Sequence, residues 1–270
     1  MKSRIVQDET EPNVSEHALD RGDERYAAVR QYSLAQILGV WAAAAIPMGV
    51  LAWIIAPWLR DQLGGDEPLA QALLICLTAG LIWQFVLVAI LIRREQVTLE
   101  WSRVRDALWL GAPRDPKTKR EGGRVWWWLV PFLVLFALEE LVSIPGPSVR
   151  DFADFVDSDS GKEFFSGAWG WYAVLFVLAV FNTVLGEELL FRGLLLPRMR
   201  GACGRYDWVV NGALFATYHL HQPWSIPTAL VDIFALSYPS RRFQSAWMGI
   251  IVHSAQSVVL LAVVLGLVIG

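Results

Sequence analysis

Three short segments of an otherwise apolar sequence contain side chains that could activate water, stabilise negative charge or bind a metal ion. They are Glu187, Glu188 and Arg192 in the first segment, His219 in the second, and His253 and Ser257 in the third. An ionisable side chain deep in a membrane costs at least about 2.5–3.5 kcal/mol on insertion scales. If these segments lie in a bilayer, they therefore indicate a functional site.

Helical spacing separates the roles within the first segment. Glu188 and Arg192 are four residues apart, so they share a helix face and are expected to form an ion pair. Glu187 points about 100° away from Glu188 in a helix of about 3.6 residues per turn. The spacing thus predicts one structural carboxylate and one that is available for chemistry. His253 and Ser257 are also four residues apart and share a face.

Depth in the bilayer is expected to bring the three segments together. Glu187 lies roughly 18 Å from the basic end of its predicted span at a rise of about 1.5 Å per residue. His219 lies roughly 18 Å from the start of its span at Asp207, and His253 lies about 12 Å from the start of its span at Ser245. The sequence therefore predicts a carboxylate and two imidazoles in one layer of the membrane.

Two chemistries fit these residues, and their spacing does not decide between them. In one, Glu187 acts as general base on a water held by His219, while His253 and Ser257 donate hydrogen bonds to an oxyanion. In the other, Glu187, His219 and His253 are the three ligands of an open zinc site, with Glu188 or water as the base. The sequence has no HExxH motif, so the arrangement of the soluble zinc proteases is absent.

Composition places the segments in a membrane. Apolar residues make up 55% of the 270 residues and charged residues 18%, and blocks of about twenty apolar residues match a bilayer about 30 Å thick. The net charge of −3 gives no basic footprint for nucleic acid. The pattern predicts an all-α, polytopic bundle of about seven transmembrane helices, with eight as the alternative count. The predicted spans cover residues 34–58, 69–92, 125–144, 171–198, 207–221, 226–238 and 245–270.

The charges of the predicted loops set the orientation. Residues 93–124 are rich in Lys and Arg, whereas residues 150–163 are rich in Asp and Glu. Because basic loops remain in the cytoplasm, the N-terminus and a predicted flexible tail at residues 1–33 are expected inside. Residues 34–168 are then N-terminal transmembrane helices with a basic cytoplasmic loop and an acidic outer loop. The expected location is a cell membrane, either plasma or inner, with several passes.

Other ionisable residues within the apolar segments have structural explanations. Glu139 and Glu140 lie near the outer end of the third predicted span, where an interfacial position in reach of water is expected. Asp232 lies in the short sixth span. It is expected to pair with Arg242 or His221, or to line a cavity.

The three segments resemble the motifs of a known family of intramembrane proteases. Glu187-Glu188-x-x-x-Arg192, then Phe215-x-x-x-His219, then His253 are similar, in this order, to the motifs of the CAAX protease and bacteriocin-processing (CPBP, or Abi) proteases. The resemblance covers about residues 172–258.

The resemblance implies a fold and roles for individual residues. Residues 169–270 would form the catalytic transmembrane core, with a cavity open to the membrane and the cytosol. Glu187 and His219 would activate water, and His253 would support the oxyanion. The family usually has Asn or Asp four residues after the last His, where this chain has Ser257. Family members often have eight spans.

The hypothesis is a membrane hydrolase, either a metalloendopeptidase or a glutamate-type protease that needs no metal. It would cleave a membrane-associated protein or peptide near the cytoplasmic leaflet, with membrane lipid as its other partner. The substrate classes are a lipidated C-terminal tail, a bacteriocin-like peptide and a segment of a membrane protein. A non-catalytic scaffold or immunity protein is the alternative. A proton-coupled transporter would use the same residue types, but the sequence has no internal repeat to support it.

Overall fold

The chain is helical throughout the part that the structure, a computed structural model, describes. That part comprises residues 24–27, 29–96, 98–139, 144, 146–147 and 150–270. Glu140 and most of the predicted tail lie outside it. No strand occurs within these ranges, which confirms the prediction of an all-α fold.

The core and the site are carried by a small set of helices. They are α1 (Leu34–Arg60), α2 (Pro68–Glu95), α3 (Leu129–Glu139), α4 (Trp169–Arg198), α5 (Asp207–Tyr218) and α6 (Trp247–Ile269). Shorter helical segments connect them, at Glu24–Ala27, Trp101–Ala107, Gly123–Trp128, Phe152–Asp157, Asp159–Phe165, Arg200–Cys203, Gly204–Tyr206, Pro223–Ser225, Ile226–Ala229, Ile233–Ser237 and Tyr238–Arg242.

Four helices in the described ranges, α1, α2, α4 and α6, are long and apolar enough to cross a membrane. Within the described residues, the other three predicted spans form shorter elements; residues 140–143 of the third predicted span lie outside that part. Helix α5 has 12 residues and is therefore about 18 Å long, which is less than a hydrocarbon core of about 30 Å. The seven-span count and the cytoplasmic N-terminus are not confirmed by these helices and remain predictions.

The surface of α1 indicates contact with lipid. Ile46, Ile54 and Trp58 expose 56%, 62% and 62% of their surface, and large apolar side chains so exposed in a long apolar helix are typical of a bilayer environment. The helix starts with a capping box, in which Ser33 and Gln36 exchange side-chain and backbone hydrogen bonds.

Helix α4 changes its winding at the residues of the first sequence segment. Its backbone is α-helical over Trp169–Val180, π-helical over Phe181–Gly186 and again π-helical over Leu189–Leu195. Glu187 and Glu188 lie between the two π segments. Single π turns inside α-helices are frequent at functional sites because the wider turn redirects side chains.

Glycine allows α4 to lie close to α2 just before these carboxylates. A Cβ at position 186 would clash with the carbonyl oxygen of Phe181 in its own helix and would crowd that of Leu81 in α2. The segment Phe181–Gly186 accordingly packs along α2, and α6 packs against both α3 and α4. The second π segment of α4, Leu189–Leu195, packs against α5. The second half of α4 therefore lies close to both α5 and α6.

Candidate active site

A cavity of about 710 Å³ lies among these helices. Glu187, His219, His253 and Ser257 all line it, so residues from three helices that are far apart in sequence share one space. Its described lining includes much of segment 150–157 but no residue of the basic loop at 93–124. The cavity therefore extends toward the acidic predicted outer loop, whereas the family resemblance implies an opening to the cytosol.

Glu187 is buried and held by polar groups on two helices. Its side chain is 2% exposed. With its amide nitrogen toward the carboxylate, Asn182 donates to both oxygens of Glu187, at 3.0 and 3.2 Å. The hydroxyl of Tyr218 is a second hydrogen-bonding partner of Glu187. Since Gln84 donates to that hydroxyl at 2.6 Å, the hydroxyl proton is available to point at Glu187.

His219 presents one ring nitrogen for chemistry. It follows the last residue of α5 and is half-buried, and its Nδ1 lies 3.0 Å from the carbonyl oxygen of Phe215. A carbonyl can only accept, so Nδ1 carries the proton and neutral His219 has a lone pair on Nε2. That nitrogen can accept a hydrogen bond from water in the cavity.

His253 is held from the side by the carboxylate of Glu188. The Nδ1 of His253 lies 3.1 Å from Oε1 of Glu188, and the same oxygen lies 3.0 Å from the Arg192 guanidinium. Glu188 and Arg192 are both fully buried. The ion pair predicted from the spacing is therefore present. Its additional contact with His253 on α6 was not predicted, because nothing in the local spacing relates the two helices.

Phe215 lies between the charged group and the two imidazoles. The Arg192 guanidinium carbon lies 3.9 Å from the centre of its ring, a distance typical of a cation–π contact. The ring packs edge-on against His219 at 4.9 Å and against His253 at 5.9 Å between centroids. Phe215 thus fixes both imidazoles from one position, which is a packing role.

Ser257 occupies the position one turn beyond His253 on α6. It is 8% exposed and lines the cavity. A hydroxyl there faces the same space as His253 and can donate a hydrogen bond.

The donor groups do not form a ready metal site. In the described residues, no group of three His, Cys, Asp or Glu side chains is arranged to hold a metal ion. Nδ1 of each histidine is already bonded, to Phe215 and to Glu188, so each could offer a metal only its Nε2. The zinc site of Glu187, His219 and His253 thus remains a prediction to be tested.

Sequence reasoning missed several residues of the site. Asn182 and Glu187 are five residues apart, the spacing that a π turn brings to one face, and a sequence read with α-helical spacing does not pair them. Tyr218 was not singled out, because nothing in its local spacing relates it to Glu187 on another helix. Glu139 was expected at the membrane interface, but it lines the cavity. Asp232 lines the cavity too, which is one of the alternatives expected for it from the sequence.

Comparison with known proteins agrees with the motifs. Residues 169–268 match a family model described as Rce1-like, type II CAAX prenyl endopeptidase. The matched range begins at the first residue of α4 and ends one residue before the end of α6. It therefore contains Glu187, its partners Asn182 and Tyr218, and the two histidines. The resemblance to the CAAX protease and bacteriocin-processing family is confirmed over this range. No curated protein and no solved structure matches the chain.

Proposed function

Because residues 169–268 carry the pattern of the type II CAAX prenyl endopeptidases, we propose that this chain is an intramembrane endopeptidase. It hydrolyses a peptide bond of a membrane-associated protein or peptide, using water activated by Glu187 and His219. The observation that carries the proposal is the buried Glu187 carboxylate, held by Asn182 and Tyr218 in a cavity that it shares with His219.

The first step uses Glu187 as general base. A water in the cavity donates one hydrogen bond to Glu187 and the other to Nε2 of His219. As the water oxygen forms a bond with the carbonyl carbon of the substrate, its proton passes to Glu187. The π electrons of the carbonyl move to its oxygen, which becomes an oxyanion.

The oxyanion lies on the side of His253 and Ser257. His253 already donates from Nδ1 to Glu188, so it can donate from Nε2 only in its doubly protonated form. The hydroxyl of Ser257 is the second donor. Hydrogen bonds aimed at the developing oxyanion lower the barrier because they are stronger in the transition state than in the ground state.

The second step completes hydrolysis. The oxyanion reforms the carbonyl, the carbon–nitrogen bond breaks, and Glu187 returns its proton to the leaving amine. This transfer returns Glu187 to its initial protonation state. The products are a carboxylic acid, which loses its proton to solvent, and an amine. Glu188 and Arg192 act through His253 as positioning residues.

The test is cleavage of fluorogenic, membrane-anchored peptides by the purified protein in lipid nanodiscs. Glu187→Gln is expected to lower kcat by about 10²-fold or more, the range typical of a lost general base. Glu163→Gln is the matched control, since Glu163 is exposed and lies outside the cavity lining. Unchanged cleavage in Glu187→Gln would contradict the proposed role of this carboxylate.

A zinc chelator, followed by addition of zinc, distinguishes the two chemistries. Full activity in the chelator supports a route through the chain's own residues. Loss in the chelator with recovery on zinc addition supports a metalloprotease and would replace the roles given above. Absence of cleavage, in a protein that folds and binds peptides, favours a scaffold or immunity protein.

A further inference from the structure

The described cavity lining is strongly unbalanced in charge. Its carboxylates are Glu139, Asp151, Asp157, Glu187 and Asp232, and its Lys or Arg content is Arg150. The Arg150 guanidinium donates to the carbonyl oxygen of Ala52 at 3.1 Å and lies 4.1 Å from the centre of the Trp53 ring. It is therefore engaged with α1. A low-dielectric cavity lined by one sign of charge focuses its field on incoming ligands of the opposite sign.

Asp232 is a buried carboxylate with an unsatisfied oxygen within the described residues. It is 5% exposed, and its Oδ1 is buried with no hydrogen-bond partner in the described part of the chain. It nevertheless lines the cavity. A buried polar atom without a partner costs free energy, and a buried charge costs more. A ligand that supplies a cation or a donor would remove this cost.

The position of Asp232 connects it with the reacting groups. It precedes the π-helical segment Ile233–Ser237, which packs along α5 and α6. Its carboxyl group interacts electrostatically with Glu139, Glu187 and Arg192. A group bound at Asp232 therefore lies in the same part of the cavity as the carboxylate that activates water.

The far end of the cavity is acidic as well. Lining residues on α6 run from His253 to Val263, which corresponds to about 15 Å along the helix at about 1.5 Å per residue. Asp151 and Asp157 line the cavity in segment 150–157, and Asp157 is exposed. A basic segment would thus meet carboxylates along a path from the acidic loop to the site.

We infer that Asp232 is the specificity residue of a subsite that binds a Lys or Arg side chain of the substrate close to the scissile bond. The inference rests on the proposed function for the identity of the substrate as a peptide. The subsite itself rests on the buried, unpartnered Oδ1 of Asp232 and on the acidic lining that leads to it. The remaining lining is mostly apolar, so the matching substrate is an apolar segment with an isolated basic residue.

Binding to the inactive Glu187→Gln variant tests the subsite without relying on turnover. The probes are two fluorophore-labelled, membrane-anchored apolar peptides that are identical except for one central Lys or norleucine. Binding to the protein in nanodiscs of neutral lipid is followed by fluorescence anisotropy. The Lys peptide is expected to bind about tenfold more tightly or more, as is typical of a desolvated charge pair.

A second substitution assigns that preference to Asp232. In the Glu187→Gln background, Asp232→Asn is expected to bring the two affinities within about twofold, with little change for norleucine. Asp232→Glu retains the charge and is expected to keep a preference for Lys. If Asp232→Asn does not fold, Asp232→Glu becomes the test, and it has to keep the preference for the Lys peptide. In that case Asp151→Asn, at the distant end of the cavity, is the control and must not abolish the preference.

Each outcome has a defined meaning. Equal binding of the two peptides to Glu187→Gln overturns the inference, and so does a Lys preference that survives Asp232→Asn in folded protein. If wild-type protein cleaves no peptide but the Lys preference and its loss in Asp232→Asn are observed, the subsite stands and the protease proposal fails. If wild-type protein cleaves peptides but no Lys preference is observed, the protease proposal stands and the subsite fails.

Discussion

The imidazole of His253 on α6 bonds through Nδ1 to the Glu188 carboxylate on α4, at 3.1 Å. This contact joins the third sequence segment to the first and determines which ring nitrogen faces the cavity. Because Arg192 shares the same carboxylate oxygen, the three side chains form one buried, charged unit. A change to any of them is expected to affect both the fold and the orientation of His253.

The first prediction concerns this unit. Glu188→Gln leaves the Arg192 guanidinium buried without its counter-charge, so the free energy of unfolding should fall by about 3–5 kcal/mol. The double variant Glu188→Gln/Arg192→Met removes both charges and should recover part of that loss. Chemical unfolding in detergent micelles measures the free energy of unfolding of the wild type, the two single variants and the double variant, which together form a double-mutant cycle. Additive losses in the double variant would show that the two residues do not act as a pair.

The hydroxyl of Tyr218 gives a second prediction. Tyr218→Phe keeps the ring, which packs against Phe191 and Phe215, but removes the hydrogen bond to Glu187. The value of kcat should fall by about tenfold to 10²-fold, because one positioned hydrogen bond to a charged group contributes about 1.5–3 kcal/mol. Cleavage kinetics measure the effect. Tyr172→Phe, at a position outside the cavity lining, should leave kcat unchanged. An equal loss in Tyr172→Phe would contradict a specific role of the Tyr218 hydroxyl.

Two glycines on α6 give a third prediction with its own control. A Cβ at Gly249 would clash with Oε2 of Glu188, whereas a Cβ at Gly266 meets nothing within 4 Å. Gly249→Ala should therefore displace Glu188, lower kcat and reduce stability by about 1–3 kcal/mol, as overpacking does. Gly266→Ala should be neutral or slightly stabilising, since alanine favours a helix. Thermal unfolding and cleavage assays compare the stability and the kcat of the two variants. Equal effects would contradict the clash between a Cβ at position 249 and Glu188.

The long helices were predictable because hydrophobicity along the chain decides them. Helices α1, α2, α4 and α6 follow the predicted spans within a few residues. The segments at 207–221 and 226–238 are different, because tertiary packing and not length in the bilayer sets their ends. Helix α5 stops at Tyr218, where His219 turns its ring back onto the carbonyl of Phe215.

The site was predictable to the extent that it depends on depth and on helical spacing. Those two regularities placed Glu187, His219 and His253 in one layer, and the structure places all three in the same cavity. The partner of Glu187 was not predictable, since Asn182 reaches it through a π turn. The Glu188–His253 contact depends on how α4 and α6 pack, which no local pattern encodes.

Ser257 provides the last prediction, at the position where relatives are expected to have Asn or Asp. As an oxyanion donor, its hydroxyl acts only in the transition state, so Ser257→Ala should lower kcat and kcat/KM together by about tenfold to 10²-fold with KM unchanged. Ser257→Asn supplies an amide donor at the same place and should retain most of the activity. Steady-state kinetics on one peptide distinguish this role from packing.

A packing role for Ser257 makes the opposite forecast. Ser257 is 8% exposed, so a larger Asn would then be overpacked and less stable than Ala, by about 1–3 kcal/mol. Ala would in that case leave kcat nearly unchanged. An active Asn variant beside a weakened Ala variant therefore assigns the hydroxyl to the chemistry, because volume alone predicts the reverse order.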